Sequence, residues 1–435
     1  MLRDFGDRHR DLERILSANY QQIAGDLEKG ITPSREQRLL IGAYLTFEYT
    51  LEAAALFNPS MVPAPGPLGH GDQPFVMSVR SIGERHLSSI EFRTGTASAG
   101  GGVAFDPVGK FASTGQISPT KYNREMFEMK LGELGADSDL VRRLIHPLDE
   151  QFTYPQLEER INSKGVTDEG VTPEVVYETV KLVRMLASAN YVVSFDPQIP
   201  LSERVIFPVG PTESHGMEDA RFVRFTSEDD AVTYFATYTA FDGTNILPQL
   251  IQTADFTTFH ISTLNGSYAR NKGMALFPRK IGGQFVALSR CDQENIDIMF
   301  SDRVHCWNSR EQLRKPQYAW EFMQIGNCGS PLETEAGWLV LTHGVGPMRT
   351  YAIGALLLDL DNPQKVIRQL PKPLLAPDRD ERNGYVPNVL YSCGGMLHDD
   401  HLLLPYGFSD AGIRVAVVEL SELLDYMTGS VGSLV

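Results

Sequence analysis

The sequence lacks the features that mark several common classes of protein. Glu48 and Glu52 interrupt its most apolar region, residues 39–57, so that region is predicted to be a buried helix rather than a membrane span. Only four of the 435 residues are cysteine, and they are too widely spaced for a zinc site or a CxxC redox motif. The chain also has no P-loop, dinucleotide fingerprint, GxSxG or HExxH motif, which leaves out several nucleotide-binding and hydrolytic families.

Positive charge is scarce as well. The chain has 39 basic and 55 acidic residues, for a formal net charge of -16. Such a chain repels nucleic acids and anionic membranes, so neither is an expected partner. The N-terminal stretch MLRDFGDRHRDLERIL is charged and has no apolar run of the signal-peptide type. We therefore expect a cytoplasmic location, four reduced thiols and no metal.

The first part of the chain has helical periodicity. Apolar residues recur at helical spacing from residue 7, and Gly30 is a suitable stop. A second helix is predicted from Thr32-Pro33 to about Phe57, with Asn58-Pro59 ending it. A Pro- and Gly-rich linker then extends from Met61 to Gly71. This pattern divides the chain into an N-terminal helical segment, 1–60, and a larger domain, 61–435.

The larger domain is predicted to consist mainly of strands. Strands are expected at 75–80, 89–94 and 103–105, and helices return at about 118–188 as an insertion. From residue 190 to about 419, short apolar runs alternate with turns rich in DG, GG, GN and DN pairs. Such spacing is typical of a barrel, a sandwich or a propeller, and a weak repeat favours a propeller.

The first segment with candidate catalytic residues is 215–221, HGMEDAR, which contains two acidic residues. Glu218 and Asp219 lie just before the strand FVRF, with Arg221 close enough to hold one carboxylate ionised. A loop that ends in such a pair suits a general acid. The simpler alternative is a solvated turn with a local salt bridge.

Candidate anion-binding residues, with basic side chains, lie further along the chain. Lys272 and Arg290 could bind an anion such as phosphate, while Arg279 and Lys280 suit the rim of a basic hairpin. His343 follows a very apolar strand, where a histidine is most often structural. The nearby Arg349 and Tyr351 favour a functional role for it.

Several segments together resemble glycoside hydrolase family 130. GMEDAR is similar to that family's Gly-x-Glu-Asp-Pro-Arg signature, and LFPRKIGGQFVALSR is similar to the strand pair that follows. GSPLETEAGWLVLTHGV, YAIGALLLDLDNPQKVI, GYVPNVLYSCG and LPYGFSDAGIRVA then follow in the family's order. The resemblance covers about residues 70–420, apart from the helical insertion.

This resemblance implies an all-β core, a five-bladed β-propeller with its active site in the central funnel, carrying the N-terminal helices and the helical insertion. It implies inverting cleavage of β-mannosidic bonds at the non-reducing end. Asp219 would be the catalytic acid, whose proton reaches the glycosidic oxygen through a substrate hydroxyl. The implied substrate-binding residues are Glu218, Arg221, Asp410, Arg80, Ser89 and Arg93. The implied phosphate-binding residues are Lys272, Arg290, His343 and Tyr351.

Two activities are compatible with this resemblance. Phosphorolysis to α-mannose 1-phosphate needs a cationic site and no second catalytic carboxylate, because phosphate is itself the nucleophile. Hydrolysis with inversion needs a carboxylate base about 6.5–9.5 Å from the acid. The presence of Lys272, Arg290, His343 and Tyr351 favours phosphorolysis, which is the expected activity, with a β-1,2-mannosidase as the alternative. Gln324 stands where phosphorylases of the family commonly have lysine, which favours that alternative, and Ala220 replaces the signature proline. The candidate bases are Asp292, Glu294, Asp297 and Glu333.

The expected partners are therefore a β-mannoside oligosaccharide and inorganic phosphate as co-substrate. No organic cofactor is implied. A sugar-binding propeller without activity is a third alternative, which the Glu218-Asp219-Arg221 trio disfavours. The amphipathic helical segments lead us to expect self-association, for which a monomer in light scattering would be contrary evidence.

Overall fold

The structure is a computed structural model that describes residues 1–27, 32–46, 48, 51, 55–83, 86–163 and 171–429. Five sheets of four to six strands follow one another along the described chain. Helices precede the first sheet, interrupt the second and follow the fifth. The α-helices are α1 (Leu2–Phe5), α2 (Leu12–Ile23), α3 (Arg35–Tyr44), α4 (Arg124–Glu133), α5 (Ser138–Ile145), α6 (Tyr154–Ile161), α7 (Pro173–Ser188) and α8 (Leu420–Thr428).

The first two sheets each combine consecutive strands with strands recruited from elsewhere in the chain. The first contains β1 (Ala55–Pro63), β2 (Gln73–Ile82), β3 (Ser88–Ala97), β4 (Val103–Phe105), β5 (Ser113–Thr114) and β10 (Arg204–Ile206). The second contains β6 (Gln116–Pro119), β9 (Tyr191–Ser194), β11 (Met217–Thr226), β12 (Val232–Phe241), β13 (Ile246–Thr253) and β14 (Thr258–Thr263). A separate two-stranded ribbon within the helical insertion pairs β7 (Lys121–Asn123) with β8 (Gln151–Thr153).

The other three sheets are built from consecutive strands. The third contains β15 (Ala275–Leu276), β16 (Phe285–Ser289), β17 (Ile296–Ser301) and β18 (Arg310–Arg314). The fourth contains β19 (Gln324–Asn327), β20 (Leu332–Thr334), β21 (Gly337–Val345), β22 (Tyr351–Leu358) and β23 (Val366–Gln369). The fifth contains β24 (Leu390–Tyr391), β25 (Met396–His398), β26 (His401–Phe408) and β27 (Gly412–Glu419).

Apolar layers between neighbouring sheets form the core. Phe92 of the first sheet packs against Phe222 and Phe259 of the second. Phe277 and Trp338 pack edge to face between the third and fourth sheets, with ring centroids 5.1 Å apart. Burying such large side chains on facing sheets is the main stabilising contribution to a fold of this kind.

Hydrogen bonds also connect each sheet with the next and the fifth with the first. The donor in each of these hydrogen bonds is a backbone N–H, so the contacts fix how neighbouring sheets meet. In order, the donor and acceptor atoms are Phe222 N and Ser60 Oγ, Thr226 N and Pro278 O, Ile325 N and Glu294 O, Tyr351 N and Asn388 O, and Cys393 N and Pro59 O.

Most of the predicted elements are present. The strands expected at 75–80, 89–94 and 103–105 lie within β2, β3 and β4, and β9–β27 occupy the region after residue 190. Four helices, α4–α7, lie in the predicted insertion. The ribbon of β7 and β8 was not predicted, because three-residue strands are too short to show a period.

The predicted second helix is wrong in its extent. It ends at Tyr44 rather than near Phe57, and residues 55–63 form β1, so the predicted boundary at residue 60 and the start of the linker at Met61 both fall inside a strand. Asn58-Pro59 forms a bulge in this strand instead of ending a helix. Proline has no N–H to donate to a neighbouring strand, and a bulge is one of the few places in a sheet that tolerate it. The predicted stop at Gly30 lies outside the described residues.

Candidate active site

Two facing β-bulges create the centre of the site. In β1 the register with β2 shifts between Phe57 and Ser60, and in β11 the register with β12 shifts between Glu218 and Arg221. Each bulge holds a residue in the left-handed region, Asn58 at φ 51° and Asp219 at φ 58°. Non-glycine residues adopt this conformation at a cost, and Asn and Asp do so most readily.

The bulges direct these two side chains at each other. Asn58 Nδ2 donates to Asp219 Oδ1, although 161 positions separate the two residues. The backbone N–H of Phe222 donates to Ser60 Oγ at 3.0 Å and holds the two bulged strands together. The structure therefore fixes the orientation of the predicted acid through the neighbouring sheet.

Glu218 lies beside Asp219 and is paired with two cations. Arg80 Nη2 donates to Glu218 Oε1 at 2.7 Å, and Lys272 Nζ donates to Glu218 Oε2. Arg80 Nη1 is also 3.9 Å from Asp219 Oδ1. With Asp410, these side chains form what we call the carboxylate centre: Arg80, Glu218, Asp219, Lys272 and Asp410.

The two aspartates of this centre are shifted in opposite directions. Burial alone would raise the pKa of Asp219, but the charges of Arg80, Arg221 and Lys272 and the hydrogen bond from Asn58 outweigh it and lower that pKa. Burial raises the pKa of Asp410, and the negative charge of Asp219 adds to the effect, while Arg80 opposes it. Neighbouring carboxyl groups with divergent pKa values are typical of sites that move protons.

Arg221, for which the resemblance implied substrate binding, donates hydrogen bonds to other groups of the protein. Its Nη1 donates to the carbonyl oxygens of Asn327 and Cys328, both at 2.7 Å, and its Nη2 donates to Tyr391 Oη at 2.9 Å. The side chain is fully engaged and buried. In this structure it joins the second sheet to the fourth and fifth and places a positive charge beneath Asp219.

A second group of side chains lies next to Arg221. Arg290 Nη1 donates to His343 Nε2 at 2.9 Å. The imidazole stacks on Tyr351, with centroids 6.2 Å apart, and packs against Tyr391 at 4.9 Å. We call Arg290, His343, Tyr351 and Tyr391 the cationic centre, because the arginine carries its charge.

Arg290 differs from Arg80 of the carboxylate centre in its partners. Within the part of the chain that the structure describes, no carboxylate lies within 4.0 Å of its guanidinium, and its buried Nε has no hydrogen-bond partner. Burial lowers the pKa of His343 well below its usual value, and the charges of Arg290 and Arg221 lower it further. Because His343 is therefore neutral, it accepts from Arg290 without compensating its charge.

A glycine permits this close pairing. A Cβ on Gly326 would lie 2.5 Å from His343 Cε1 and 3.0 Å from Arg290 Cδ. Gln324 lies two residues earlier on β19, and alternation along a strand places it on the same face as Gly326. The position at which the family commonly has lysine therefore faces the cationic centre.

The structure does not bring every predicted residue to these centres. Arg80 pairs with Ile90 across β2 and β3, whereas Ser89 and Arg93 pair with Ser81 and Met77. Directly paired residues share a face, so Ser89 and Arg93 lie on the opposite face from Arg80. Arg93 hydrogen-bonds Glu91 at 3.0 Å there and lines a separate cavity between the first and fifth sheets.

The candidate hydrolytic bases have other partners or positions. Asp292 accepts from the backbone of its own turn, Asp297 accepts from Arg310 at 2.9 Å, and Glu333 is paired through both oxygens with Arg279. Glu294 is the fourth candidate; its carbonyl oxygen accepts from Ile325 N in the contact between the third and fourth sheets. The first three carboxylates are thus already engaged in turns or ion pairs.

The pair Arg279 and Lys280, predicted to form a basic rim, packs on aromatic rings. The guanidinium of Arg279 lies 4.9 Å from the Trp338 ring, and Lys280 Nζ lies 4.9 Å from the Phe285 ring. Both contacts are of the cation–π kind and are structural.

Sequence reasoning missed Asn58 and Tyr391. Asn58 was interpreted as the end of a helix, and only the bulge reveals its contact with Asp219. Tyr391 lies inside the segment GYVPNVLYSCG, which carried the resemblance, so it was available as a signal. Its hydroxyl accepts from Arg221 and its ring contacts His343, so it links the cationic centre to Arg221.

The four cysteines are free thiols, and burial raises the pKa of Cys328 to about 12. Among the described residues no group of three or more His, Cys, Asp or Glu side chains is arranged to hold a metal ion. In the same part of the chain, no helix combines the length and apolar character needed to cross a membrane.

Comparison with known proteins identifies related sequences. A family model described as beta-1,4-mannooligosaccharide phosphorylase matches residues 194–429. A 1,2-beta-oligomannan phosphorylase from Thermoanaerobacter sp. is 39% identical over 155 residues, which are 35% of this chain and 52% of that protein. A beta-1,2-mannobiose phosphorylase from the same organism is 35% identical over 220 residues, 49% of this chain and 70% of that protein. The chain thus spans about half the length of the first of these relatives.

Solved structures include similar folds. A glycosyl hydrolase from Bacteroides ovatus superposes with a TM-score of 0.50 at 15% identity, covering 85% of each chain. At that level of identity the likeness concerns the fold alone.

Proposed function

Because this chain belongs to glycoside hydrolase family 130, we propose that it is an inverting phosphorylase that converts a β-mannoside and phosphate into α-mannose 1-phosphate. The proposal follows the names of the relatives, which include mannobiose, oligomannan and mannooligosaccharide phosphorylases. The two Thermoanaerobacter relatives are both named for β-1,2 linkages, so that linkage is the first to test.

Arg290 is the observation that carries the proposal. A partly buried guanidinium loses hydration and normally regains it from a carboxylate or another anion. Arg290 instead pairs with the neutral imidazole of His343 and keeps unused donors. Phosphate is a dianionic acceptor that suits an arginine fork, and His343, Tyr351 and Lys272 add further donors nearby.

The reaction requires one displacement. A phosphate oxygen forms a bond to the anomeric carbon while the bond from that carbon to the glycosidic oxygen breaks on the opposite face. The leaving oxygen takes the proton of Asp219, relayed through a hydroxyl of the mannosyl unit as the resemblance implies. Arg80, Glu218 and Asp410 surround Asp219 and are placed to hold that unit.

Phosphate binding also supplies the protonated acid. In the free site, nearby cations lower the pKa of Asp219, which favours its ionised form. The negative charge of a bound phosphate would oppose the charges of Arg80, Arg221 and Lys272, so it would raise the pKa of Asp219 and favour the protonated carboxyl group. The nucleophile and the acid would thereby be assembled in the same step.

Hydrolysis is the second candidate, and one observation favours it. Gln324 leaves the face of β19 beside Arg290 without the lysine charge that is common in phosphorylases of the family. A hydrolase of this kind also needs a free carboxylate base; Asp292, Asp297 and Glu333 are engaged elsewhere, which leaves Glu294 as the one candidate of the four. Phosphorolysis therefore accounts for more of the site.

The five sheets support a proposal for the complete architecture. We propose that they are the blades of a five-bladed propeller whose funnel contains both centres. Hydrogen bonds between consecutive sheets, and between the fifth and the first, are the contacts expected of a closed ring.

The proposed function can be tested by incubating the purified protein with β-1,2-mannobiose, with and without inorganic phosphate. Mannose and mannose 1-phosphate are then separated and quantified. We expect mannose 1-phosphate only when phosphate is present. Free mannose at a rate independent of phosphate would establish hydrolysis instead.

A further inference from the structure

Two exposed aromatic side chains, His86 and Tyr385, lie together on loops whose neighbouring residues contact Ser409 and Met217, beside the carboxylate centre, at a position that we call the mouth of the site. The rings of His86 and Tyr385 are stacked with an offset, at a centroid distance of 6.3 Å and an interplanar angle of 21°. Tyr385 is 81% exposed. Exposed ring faces beside a concave polar site are typical of ligand-binding surfaces.

Tyr385 lies beside Asp410. The residues flanking Tyr385 both contact Ser409, which immediately precedes Asp410: Val386 N donates to Ser409 O at 3.2 Å, and a Cβ on Gly384 would lie 2.3 Å from the same oxygen. Ser409 and Asp410 both have φ 50°, so this turn is tightly defined. The loop carrying Tyr385 is therefore fixed next to the carboxylate centre.

His86 reaches the same place from the first sheet. It belongs to the turn between β2 and β3, in which Gly83 N donates to Leu87 O at 2.9 Å. Two residues later, Ser88 Oγ donates to the carbonyl oxygen of Met217, directly before Glu218. The turn that carries His86 is thus attached to β11, the strand that supplies the predicted acid.

We propose that His86 and Tyr385 form a stacking platform for the leaving-group sugar, one unit beyond the bond that is cleaved. The inference rests on the proposed function. If the non-reducing mannosyl unit occupies the carboxylate centre, the rest of the oligosaccharide leaves through the mouth, where these rings are exposed. The C–H face of a pyranose packs on aromatic rings, which makes the pair a determinant of acceptor binding.

Kinetics of the reverse reaction can distinguish a role in acceptor binding from a role in the catalytic centre. With α-mannose 1-phosphate as donor and mannose or β-1,2-mannobiose as acceptor, the KM of each substrate is measured for wild type, Tyr385→Ala, Tyr385→Phe and His86→Ala. We expect Tyr385→Ala to raise the acceptor KM about tenfold, the loss of one good aromatic contact. The donor KM should not change, and Tyr385→Phe should stay close to wild type.

Tyr44 provides a matched control. It is 83% exposed on α3, outside both centres, so Tyr44→Ala removes a similarly exposed ring without touching the mouth. An active protein whose acceptor KM is unchanged by Tyr385→Ala, or whose donor KM rises equally, overturns the platform alone. Absence of synthesis by the unmodified protein with either acceptor overturns the proposed function, and the platform with it.

Discussion

The two centres of the site differ in how their charge is balanced. In the carboxylate centre each cation faces a carboxylate, as Arg80 and Lys272 do with Glu218. In the cationic centre Arg290 faces the neutral His343. The first centre balances its cations with its own carboxylates, whereas the arginine of the second has no carboxylate partner among the described residues. In a chain with a net charge of -16, this arginine, which lacks a carboxylate partner within the ranges that the structure describes, is the feature on which we base the proposed anion site.

The backbone differs between the centres as well. The carboxylate centre depends on two bulges that hold Asn58 and Asp219 in the left-handed region. The cationic centre uses regular strands, with Gly326 leaving room for the contact between Arg290 and His343. Costly backbone geometry is thus concentrated at the proposed acid, whereas the proposed anion site uses side chains beside regular strands.

The largest effect should come from the carboxylate centre. Replacing Asp219 with Asn removes the acid while keeping the shape and the contact with Asn58, so we expect kcat to fall by roughly 10²–10⁴-fold. Product formation measured by mannose 1-phosphate release tests this, with thermal unfolding as the check on folding. Asp425→Asn, at an exposed position on α8, is the matched control. Turnover close to wild type in Asp219→Asn would eliminate this residue as the acid.

Replacing Arg290 should weaken phosphate binding and leave mannoside binding unchanged. Losing a charge-assisted contact of about 1.5–3 kcal/mol should raise the phosphate KM of Arg290→Ala by roughly 10–150-fold. Arg290→Lys should recover part of the loss, because it restores the charge without the fork. Arg279→Ala is the control, since that guanidinium already pairs with Glu333. A rise confined to the mannoside KM would show that Arg290 binds sugar instead.

The sequence could predict the chemistry of these centres better than their geometry. The segment GMEDAR and the basic residues Lys272 and Arg290 were identifiable from residue type and order alone. The contact between Asn58 and Asp219 was not, because it depends on two bulges in strands 161 positions apart. The face of a strand is equally hard to predict, since a shift of one residue exchanges the faces. For that reason Arg80 lies in the site and Arg93 does not.

Proton linkage should connect the two centres. If an anion at Arg290 raises the lowered pKa of Asp219, binding takes up a proton, and anion affinity must fall as the pH rises. Because the pKa of Asp219 is lowered, the linkage should appear in the acidic range, where sulfate is still a dianion and its affinity can be measured by calorimetry without a change in its own charge. We expect a smaller slope in Asp219→Asn, with the remainder due to Asp410 and His343. An equal slope of anion affinity against pH in wild type and Asp219→Asn would show that anion binding is not linked to protonation of Asp219.

The smallest effect should come from adding charge to the cationic centre. Gln324 lies on the same face of β19 as Gly326, so Gln324→Lys would place an ammonium beside Arg290. An added partly exposed charge contributes about 0.2–1 kcal/mol, so we expect the phosphate KM to fall by roughly 1.5–5-fold. The gain should shrink at high ionic strength, because exposed charges are screened. Gln312→Lys on β18 adds the same charge away from the centre. If both substitutions lower the phosphate KM equally, the gain reflects overall charge, and position 324 is not part of the cationic centre.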